Sequence, residues 1–273
     1  MKFSVLMSVY KADTPSNLEA SLKSIWDEQT IKPSQIVLVQ DGPVSEDIND
    51  VIKKHEIIIG DKFEHLILDK NQGLAAALNQ GYKLCKHELI ARMDSDDICF
   101  PDRFEKQIDF FSKNNVDILG GQILEFGKDI GDIISQRNVP KIHQDIVKFL
   151  KYRSPFSHPS IMIKKSVYHT LGGYDVSIFP EDYDLFVRAY LMGFRFANLQ
   201  DNILWFRMGE DQTNALKRRW GFKFASNEFK LYKKFLHIGF YSRLTFLKVV
   251  LSKIPLRFIP FSLFKFIYFK LLR

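Results

Sequence analysis

Two runs near the N-terminus leave this chain little choice of architecture. FSVLMSVY (3–10) is apolar almost throughout, and IVLVQDGP (36–43) stays apolar until it meets an Asp-Gly-Pro turn. Continuous rather than alternating apolar character is the mark of strands covered on both faces. Between them, residues 15–28 set Leu18, Leu22, Ile25 and Trp26 at helical spacing behind Pro15, a residue suited to a helix's first turn. The rhythm continues with a polar helix over about 45–55, a strand at 65–68, an Ala-rich helix over 73–84 (GLAAALNQGYKL) and a strand in ELIARMDSDD (88–97). Repeated βα units of this length predict an α/β fold: a mostly parallel sheet flanked by helices. After residue 100 the rhythm loosens. A helix is expected over 101–114, short strands over 116–126, 130–138 and 159–164 in a mixed or antiparallel region, and an amphipathic helix from Glu181 to about Leu191. There is no internal repeat and no low-complexity linker.

In an open α/β sheet, ligands bind beyond the carboxyl ends of the strands. Here the first strand ends in Ser8-Val9-Tyr10, the second in Asp41-Gly42, and the later one in Asp94-Ser95-Asp96-Asp97. No Gly-x-Gly-x-x-Gly loop and no Gly-rich Lys-Ser/Thr loop occurs, which argues against dinucleotide and P-loop sites. Asp94 and Asp96 alternate to one side of an extended chain, so both can face one cation. Oxygen ligands with open positions suit Mg²⁺ or Mn²⁺ holding a diphosphate. An isolated Asp-x-Asp is ordinarily a solvated turn, and its place after a buried strand is what sets this one apart. Asp41 reads equally as a turn residue before Gly42 and as an acceptor for a ribose or base. Lys70-Asn71-x-Gly73 opens a helix whose N-terminus can face an anion, although its alanines serve close packing as well.

Glu181 and Asp182, after Phe179-Pro180, either compensate the macrodipole of their helix or bring a general base to the metal site from a separate loop. His158, in PFSHPS (155–160), has no second histidine at ligand spacing and reads as structural, as does Arg188. Arg207, Lys217, Arg218 and Arg219 form a basic cluster, either a solvated face or a grip on phosphate. Cys85 and Cys99 are too few for a disulfide scaffold or a cysteine zinc site.

The net charge of +7 is unevenly spread. Residues 229–273 hold ten basic and no acidic side chains, with nine of the 25 phenylalanines; residues 1–228 carry 29 basic against 32 acidic groups, a net −3. No uncharged run there reaches the roughly 18–20 residues of a spanning helix. On FSLFKFIYFKLLR (261–273), Ser262, Lys265, Lys270 and Arg273 fall in one stripe among Phe and Leu, the pattern of an interfacial helix on an anionic membrane. Packing of 229–260 on the body is the competing expectation. The N-terminal apolar run lacks a cleavage site and reads as a first strand rather than a signal peptide.

FSVLMSVYK, IVLVQDGP, KNQGLAAALNQG, ARMDSDD, HPSIMI, LGGYD and PEDYDLFVRAYLMG occur here in the order seen in family 2 glycosyltransferases of the GT-A fold. The resemblance covers residues 3 to about 195 and is strongest to bacterial enzymes that build O-antigen, capsule or exopolysaccharide repeats. It implies a nucleotide-sugar half over about 1–100, an acceptor half over about 101–228, and a basic extension over 229–273. By the same resemblance Asp41 contacts the uracil or ribose of a UDP-sugar, and Ser8 and Tyr10 flank the nucleoside. Lys70, Asn71, Gly73, Arg92, Asp94, Arg207 and Arg218 join the donor site. Asp94 and Asp96 bind Mn²⁺ or Mg²⁺, with Asp97 in support, and Asp182 is the catalytic base with Glu181 as its alternate. Some relatives carry a Tyr-Arg-x-His element after the base helix; here WFRMGED (205–211) keeps Arg207 but has Gly209 in place of His.

The implied reaction is an inverting, metal-dependent transfer of a hexose from UDP-Gal or UDP-Glc to an N-acetylhexosamine on diphospho-undecaprenol. The implied location is cytoplasmic, peripheral on the inner face of the bacterial membrane. Three rivals rank lower: a nucleic-acid binder using the basic tail, a nucleotidyltransferase, and a non-catalytic scaffold of the same fold. The first leaves the carboxylates unexplained, and the second usually needs a Gly-rich N-terminal loop that FSVLMSVYK lacks.

Overall fold

A computed structural model describes residues 1–209, 212–217 and 219–267. In chain order the elements are β1 (Phe3–Val9), α1 (Pro15–Trp26), β2 (Gln35–Gln40), α2 (Glu46–Ile59), β3 (Phe63–Ile67), α3 (Leu74–Leu84), β4 (Leu89–Asp94), β5 (Ile98–Cys99) and α4 (Arg103–Lys113). There follow β6 (Ile118–Phe126), β7 (Ile133–Arg137), α5 (His143–Leu150), β8 (Met162–Lys164), α6 (Lys165–Leu171), α7 (Glu181–Leu191) and β9 (Phe196–Arg207). Four helices close the described chain: α8 (Gln212–Lys217), α9 (Phe222–His237), α10 (Arg243–Lys253) and α11 (Phe261–Ile267).

The strands join one sheet in the order β3-β2-β1-β4-β8-β6-β9-β5, with β7 paired to β6. β1, β2, β3 and β4 run parallel, and β6 runs parallel to β9; β8 is antiparallel to both β4 and β6. The expected mostly parallel sheet is therefore present. Alternation along the buried strands divides the core. Phe3, Val5, Met7 and Val9 pack with Leu18, Leu22, Ile48, Ile52 and Phe104 of α1, α2 and α4. Leu6, Val37 and Val39 face the other way, against Ala77, Leu78, Val167, Phe186 and Phe235. Small residues let α3 lie close to the sheet: a Cβ on Gly81 would stand 2.5 Å from Leu6 Cδ1 and 2.6 Å from Val39 Cγ2.

Several boundaries differ from expectation for identifiable reasons. The strand in 88–97 does run out into its polar residues as expected, ending at Asp94; a turn at 95–97 lifts the carboxylates off the ladder before β5 resumes against β9, with Ile98 opposite Trp205. The expected strand at 159–164 shrinks to β8, because His158–Ser160 form a 3-10 turn around Pro159. β9 and the short helices α5 and α6 were not expected. β9 is interrupted by the polar run Gln200-Asp201-Asn202, and its pairing with β6 slips between Gly120 and Ile123, so no clean period-2 signal marks it. Its last residues bring Trp205 to Arg207 back to the turn after β4, where Trp205 stacks on Phe100 at 3.6 Å.

The compositional step at Glu228 falls inside α9. That helix buries Phe224, Leu231, Tyr232 and Phe235 against the α7 side of the body, and Lys234 pairs with Asp175 and Asp184. Arg257 returns to Glu228 with two hydrogen bonds of 2.7 and 3.0 Å. Phe240, Tyr241 and Val249 join the same core as Leu231, Tyr232 and Phe235, so the tail packs on the body beyond α9. α10 differs: it buries only Val249 and leaves Leu244, Leu247 and Leu251 exposed at 63%, 52% and 63%. No described helix is long and apolar enough to cross a membrane. Of the interfacial stripe expected at the C-terminus, Lys270 and Arg273 lie outside the described residues, and so does Arg218.

Candidate active site

Strand register gathers the expected residues at one sheet edge. Ser8 of β1 pairs across to Asp94 of β4 and to Val39 of β2, and Val9 pairs with Gln40, so Asp41 follows at the same level. Tyr10 is exposed just beyond β1, its N–H donating to Asp13 Oδ2 at 2.8 Å.

Asp41 is nearly buried, and its carboxylate organises the next loop. Oδ1 accepts from the Gln72 N–H at 2.7 Å; Oδ2 accepts from the Gly73 N–H at 2.8 Å and Asn71 Nδ2 at 3.0 Å. A carboxylate held by backbone N–H groups before a helix suits the positive end of α3. Gly42 makes the approach possible: its φ is +86°, and a Cβ there would lie 2.5 Å from Asn71 N. Lys70 and Asn71 sit on this loop with their side chains largely exposed, and Gly73 caps α3.

The turn after β4 brings Asp94, Asp96 and Asp97 together, with a carboxylate oxygen from each within 4.8 Å of the others. Burial, then the charges of Asp94 and Asp13, pushes Asp96 up to about 7. Asp97 is fully buried and is raised well above the usual carboxylate range by burial and by the charges of Asp96 and Asp94. Its Oδ1 accepts from the Arg207 N–H at 2.8 Å, while its Oδ2 has no hydrogen-bond partner among the described residues. Three carboxylates drawn together, of which burial keeps Asp96 and Asp97 from ionising readily, are a donor set that a hard divalent cation fits. Asp97 therefore belongs to the group more fully than a supporting role implies. Asp13 also borders it, with its own carboxyl raised by burial. Its position in ADTP, just before the Thr14 cap of α1, disguised it as part of a helix start.

Arg92 was expected at the donor but lies buried beneath the carboxylates, paired with Asp94. Burial opposes its charge, and Asp94 more than offsets that. Its Nε and Nη1 have no hydrogen-bond partner among the described residues. Arg207 is likewise engaged inward: Nε donates to the Asp96 carbonyl at 2.8 Å, Nη1 to the Lys128 carbonyl at 3.0 Å, and the guanidinium lies 4.5 Å from the Phe126 ring centre. Both arginines brace the acidic turn.

Glu181 and Asp182 open α7 after a cis Phe179–Pro180 bond. Macrodipole compensation alone would leave ionised, solvated acids. Instead Glu181 is buried, and burial followed by the Asp182 charge pushes it up to about 7, with Asp94 adding to the rise. Asp182 is also raised by burial, against hydrogen bonds from its own turn and from Ser154, whose Oγ donates to Oδ2 at 3.1 Å. Arg137 faces Asp182 while its Nη2 donates to the carbonyls of Ser154 and Phe156. Ser154 and Arg137 were not legible as site residues, since β7 and the 151–157 loop carry no motif.

His158, Arg188 and the LGGYD loop are engaged within the protein. His158 Nε2 meets the Tyr174 hydroxyl at 2.7 Å, and burial together with the Arg92 charge holds its pKa well below the ordinary range. Arg188 pairs with Asp184 and donates to the carbonyls of Leu171 and Gly173. The LGGYD loop is tied to α3 by Asn79, whose side chain exchanges two hydrogen bonds with the Tyr174 backbone. One sheet edge thus offers an acidic cluster, a loop fixed by Asp41, and a second carboxylate pair of raised pKa that senses the first.

Comparison with known proteins gives this arrangement a context. Residues 4–172 match the sequence profile of Glycosyl transferase family 2. The UDP-Gal:alpha-D-GlcNAc-diphosphoundecaprenol beta-1,3-galactosyltransferase of Escherichia coli is 36% identical over 273 residues, covering 100% of this chain and 97% of the relative. The amylovoran biosynthesis glycosyltransferase AmsE of Erwinia amylovora is 37% identical over 232 residues, covering 85% and 84%. Among solved structures, the mannosyltransferase PcManGT of Pyrobaculum calidifontis, in complex with GDP-Man and Mn²⁺, superposes with a TM-score of 0.66 at 15% identity, covering 93% of this chain and 69% of that one. At that identity the likeness is one of fold.

Proposed function

The chain belongs to glycosyl transferase family 2 and is a glycosyltransferase, and on that premise we propose that it moves galactose, or else glucose, from a UDP-sugar to an N-acetylhexosamine on a lipid diphosphate. The observation that carries the reading is the pairing of two carboxylate groups of opposite duty at one sheet edge: Asp94, Asp96 and Asp97 within 4.8 Å, and Glu181 with Asp182 at the start of α7. The E. coli relative is named for such a donor and acceptor, and AmsE for polysaccharide biosynthesis.

In this reading the 70–73 loop, fixed by Asp41, borders the nucleoside together with Ser8 and Tyr10. Asp94 and Asp96 would hold Mn²⁺ or Mg²⁺, with Asp97 as the buried third carboxylate. The ion, when bound, supplies charge neutralisation at the diphosphate. Asp182 takes the proton of an acceptor hydroxyl, which attacks the anomeric carbon on the side opposite UDP. Ser154 and Arg137 orient Asp182, and burial raises the pKa of both carboxyls of the pair, that of Glu181 to about 7, which makes each a better proton acceptor once ionised. Arg92 keeps the two acidic groups from repelling each other without touching substrate. One displacement inverts the anomeric centre, so an α-linked UDP-sugar yields a β-glycoside.

The basic, Phe-rich C-terminal region would set the enzyme on the inner face of the cytoplasmic membrane, with Leu244, Leu247 and Leu251 of α10 as an apolar contact. Nucleic acid is not the partner in this reading.

The test is a donor screen with UDP-Gal, UDP-Glc, UDP-GalNAc and UDP-GlcNAc against a synthetic GlcNAc-diphosphate-lipid, with and without EDTA. Transfer from UDP-Gal or UDP-Glc, abolished by EDTA and restored by Mn²⁺ or Mg²⁺, is the expected result. Full turnover in EDTA removes the metal assignment, and transfer from neither hexose donor removes the substrate assignment.

A further inference from the structure

Beside the start of α7 lies a cavity of about 570 Å³ lined by Phe179, Lys217, Trp220, Lys223, Phe224 and Asn227. Its chemistry is unlike that of the acidic edge. Three aromatic rings form its wall and two lysines stand at it, with no carboxylate among the described residues that line it. Phe179 is 47% exposed and meets Phe224 edge-on at 6.0 Å. Trp220 Nε1 donates to the Ile259 carbonyl at 2.9 Å, so its donor is satisfied within the protein. The Arg257 guanidinium lies 4.8 Å from the Phe224 ring centre, held there by Glu228.

A cavity with an apolar wall and two cations selects an amphiphilic anion. Sugars alone would not need the lysines, and a free phosphate would not need the rings. Position narrows the choice further. Phe179 precedes Glu181 by two residues, at most about 7 Å of chain, so a ligand seated here lies next to the carboxylate pair and on the α7 side of the site. The acidic cluster of the β4 turn belongs to separate elements.

We propose that this cavity is the acceptor subsite for a lipid-linked diphosphate: Lys217 and Lys223 take the two phosphates, and Phe179, Trp220 and Phe224 take the first carbons of the lipid. The proposal rests on the lipid-diphosphate acceptor of the functional reading and adds its binding site. It separates the two diphosphates of the reaction. The donor's is held at carboxylates through a cation, and the acceptor's is held directly by lysines, so the two do not compete. It also accounts for the placement of Lys217, which the sequence offered only as part of a solvated face or of a grip on phosphate, and it adds Lys223, which the sequence did not single out.

The experiment measures binding without turnover, so it stands or falls apart from the transferase reading. Undecyl diphosphate, undecanol and inorganic pyrophosphate are titrated into the full chain by calorimetry, with saturating UDP and Mn²⁺ present throughout. Undecyl diphosphate is expected to bind, with each of the two half-molecules at least tenfold weaker. The Lys217→Ala/Lys223→Ala variant should lose about tenfold in affinity for it, about 1.4 kcal/mol. A Lys53→Ala/Lys113→Ala variant, at two exposed sites far from any proposed role, should bind as wild type. Retained UDP binding by the first variant shows that it is folded. The proposal is overturned if undecyl diphosphate fails to bind beside UDP, if pyrophosphate binds as tightly, or if the two lysines do not matter. Should undecyl diphosphate bind as described while no sugar is transferred to any lipid diphosphate, the subsite stands and the reaction assigned to the enzyme falls.

Discussion

Asp41 can act by holding a loop or by touching a nucleoside, and replacing it with Asn separates the two. In the structure its two oxygens accept three hydrogen bonds, from Gln72 N–H, Gly73 N–H and Asn71 Nδ2. An Asn in the same rotamer has one acceptor oxygen. Turned toward Gly73 and Asn71 it keeps two bonds, now to a neutral acceptor, and points an NH₂ at the Gln72 N–H. Losing one bond to a charged acceptor costs about 1.5–3 kcal/mol, and weakening two others adds roughly 1. Asn71 and Gln72 are exposed enough for water to replace part of this, which brings the total to about 2 kcal/mol. Asp41→Ala should cost somewhat more, about 3 kcal/mol, because all three donors lose their partner. Urea unfolding followed by tryptophan fluorescence measures both, and thermal melts should fall by about 5 °C for Asn at roughly 2–4 °C per kcal/mol. UDP affinity should fall alongside stability, since the 70–73 loop loosens. If Asp41→Asn unfolds within about 0.5 kcal/mol of wild type yet loses UDP, the loop-anchor argument is wrong and Asp41 works by direct contact.

Gly42→Ala tests the same junction from the other side: with φ at +86° and a Cβ 2.5 Å from Asn71 N, it should lose at least about 2 kcal/mol in urea unfolding. The raised pKa of Glu181 gives a signed pH dependence. An unfolded carboxyl titrates near 4.5 and the folded one at about 7, so the folded state holds its proton more tightly, and stability in EDTA should fall as pH rises through that window. Glu181→Gln should reduce that slope in melts at pH 5, 6 and 7, and an unchanged slope would show that Glu181 does not contribute. For the tail, Leu244→Ser/Leu247→Ser/Leu251→Ser should reduce co-flotation with phosphatidylglycerol vesicles severalfold, since each leucine forfeits up to about 1.5–3 kcal/mol of burial. Wild-type co-flotation by the triple variant would place the contact elsewhere.

Most of the first hundred residues were readable because β1, β2 and β4 are buried on both faces. Val5, Leu6, Met7, Val37, Leu38 and Val39 are fully buried, and short apolar runs bounded by turn signals mark such strands. The carboxylate groups were readable from their position after those strands and at a helix start. The supporting residues were not. Arg92 lies inside a strand, and nothing in LIARMD says that its charge is buried rather than offered to a ligand. Arg207 looked available for phosphate because β9 was hidden by Gln200-Asp201-Asn202; once the strand forms, its backbone and side chain are drawn to Asp97 and Asp96. Ser154 and Arg137 reach Asp182 through tertiary contacts between segments that have no pattern of their own. The aromatic cavity depends on α8 and α9 folding back toward Phe179, a long-range event invisible to local spacing.

The most direct test of the whole account is the stereochemistry of the product. The enzyme is supplied with UDP-Gal, Mn²⁺ and a GlcNAc-diphosphate-lipid, and the anomeric coupling constant of the transferred sugar is read by NMR. An inverting single displacement driven by the α7 carboxylates predicts a β-linked sugar, formed by wild type and lost in Asp182→Asn with UDP binding retained. An α-linked product, or undiminished transfer by Asp182→Asn, would contradict it.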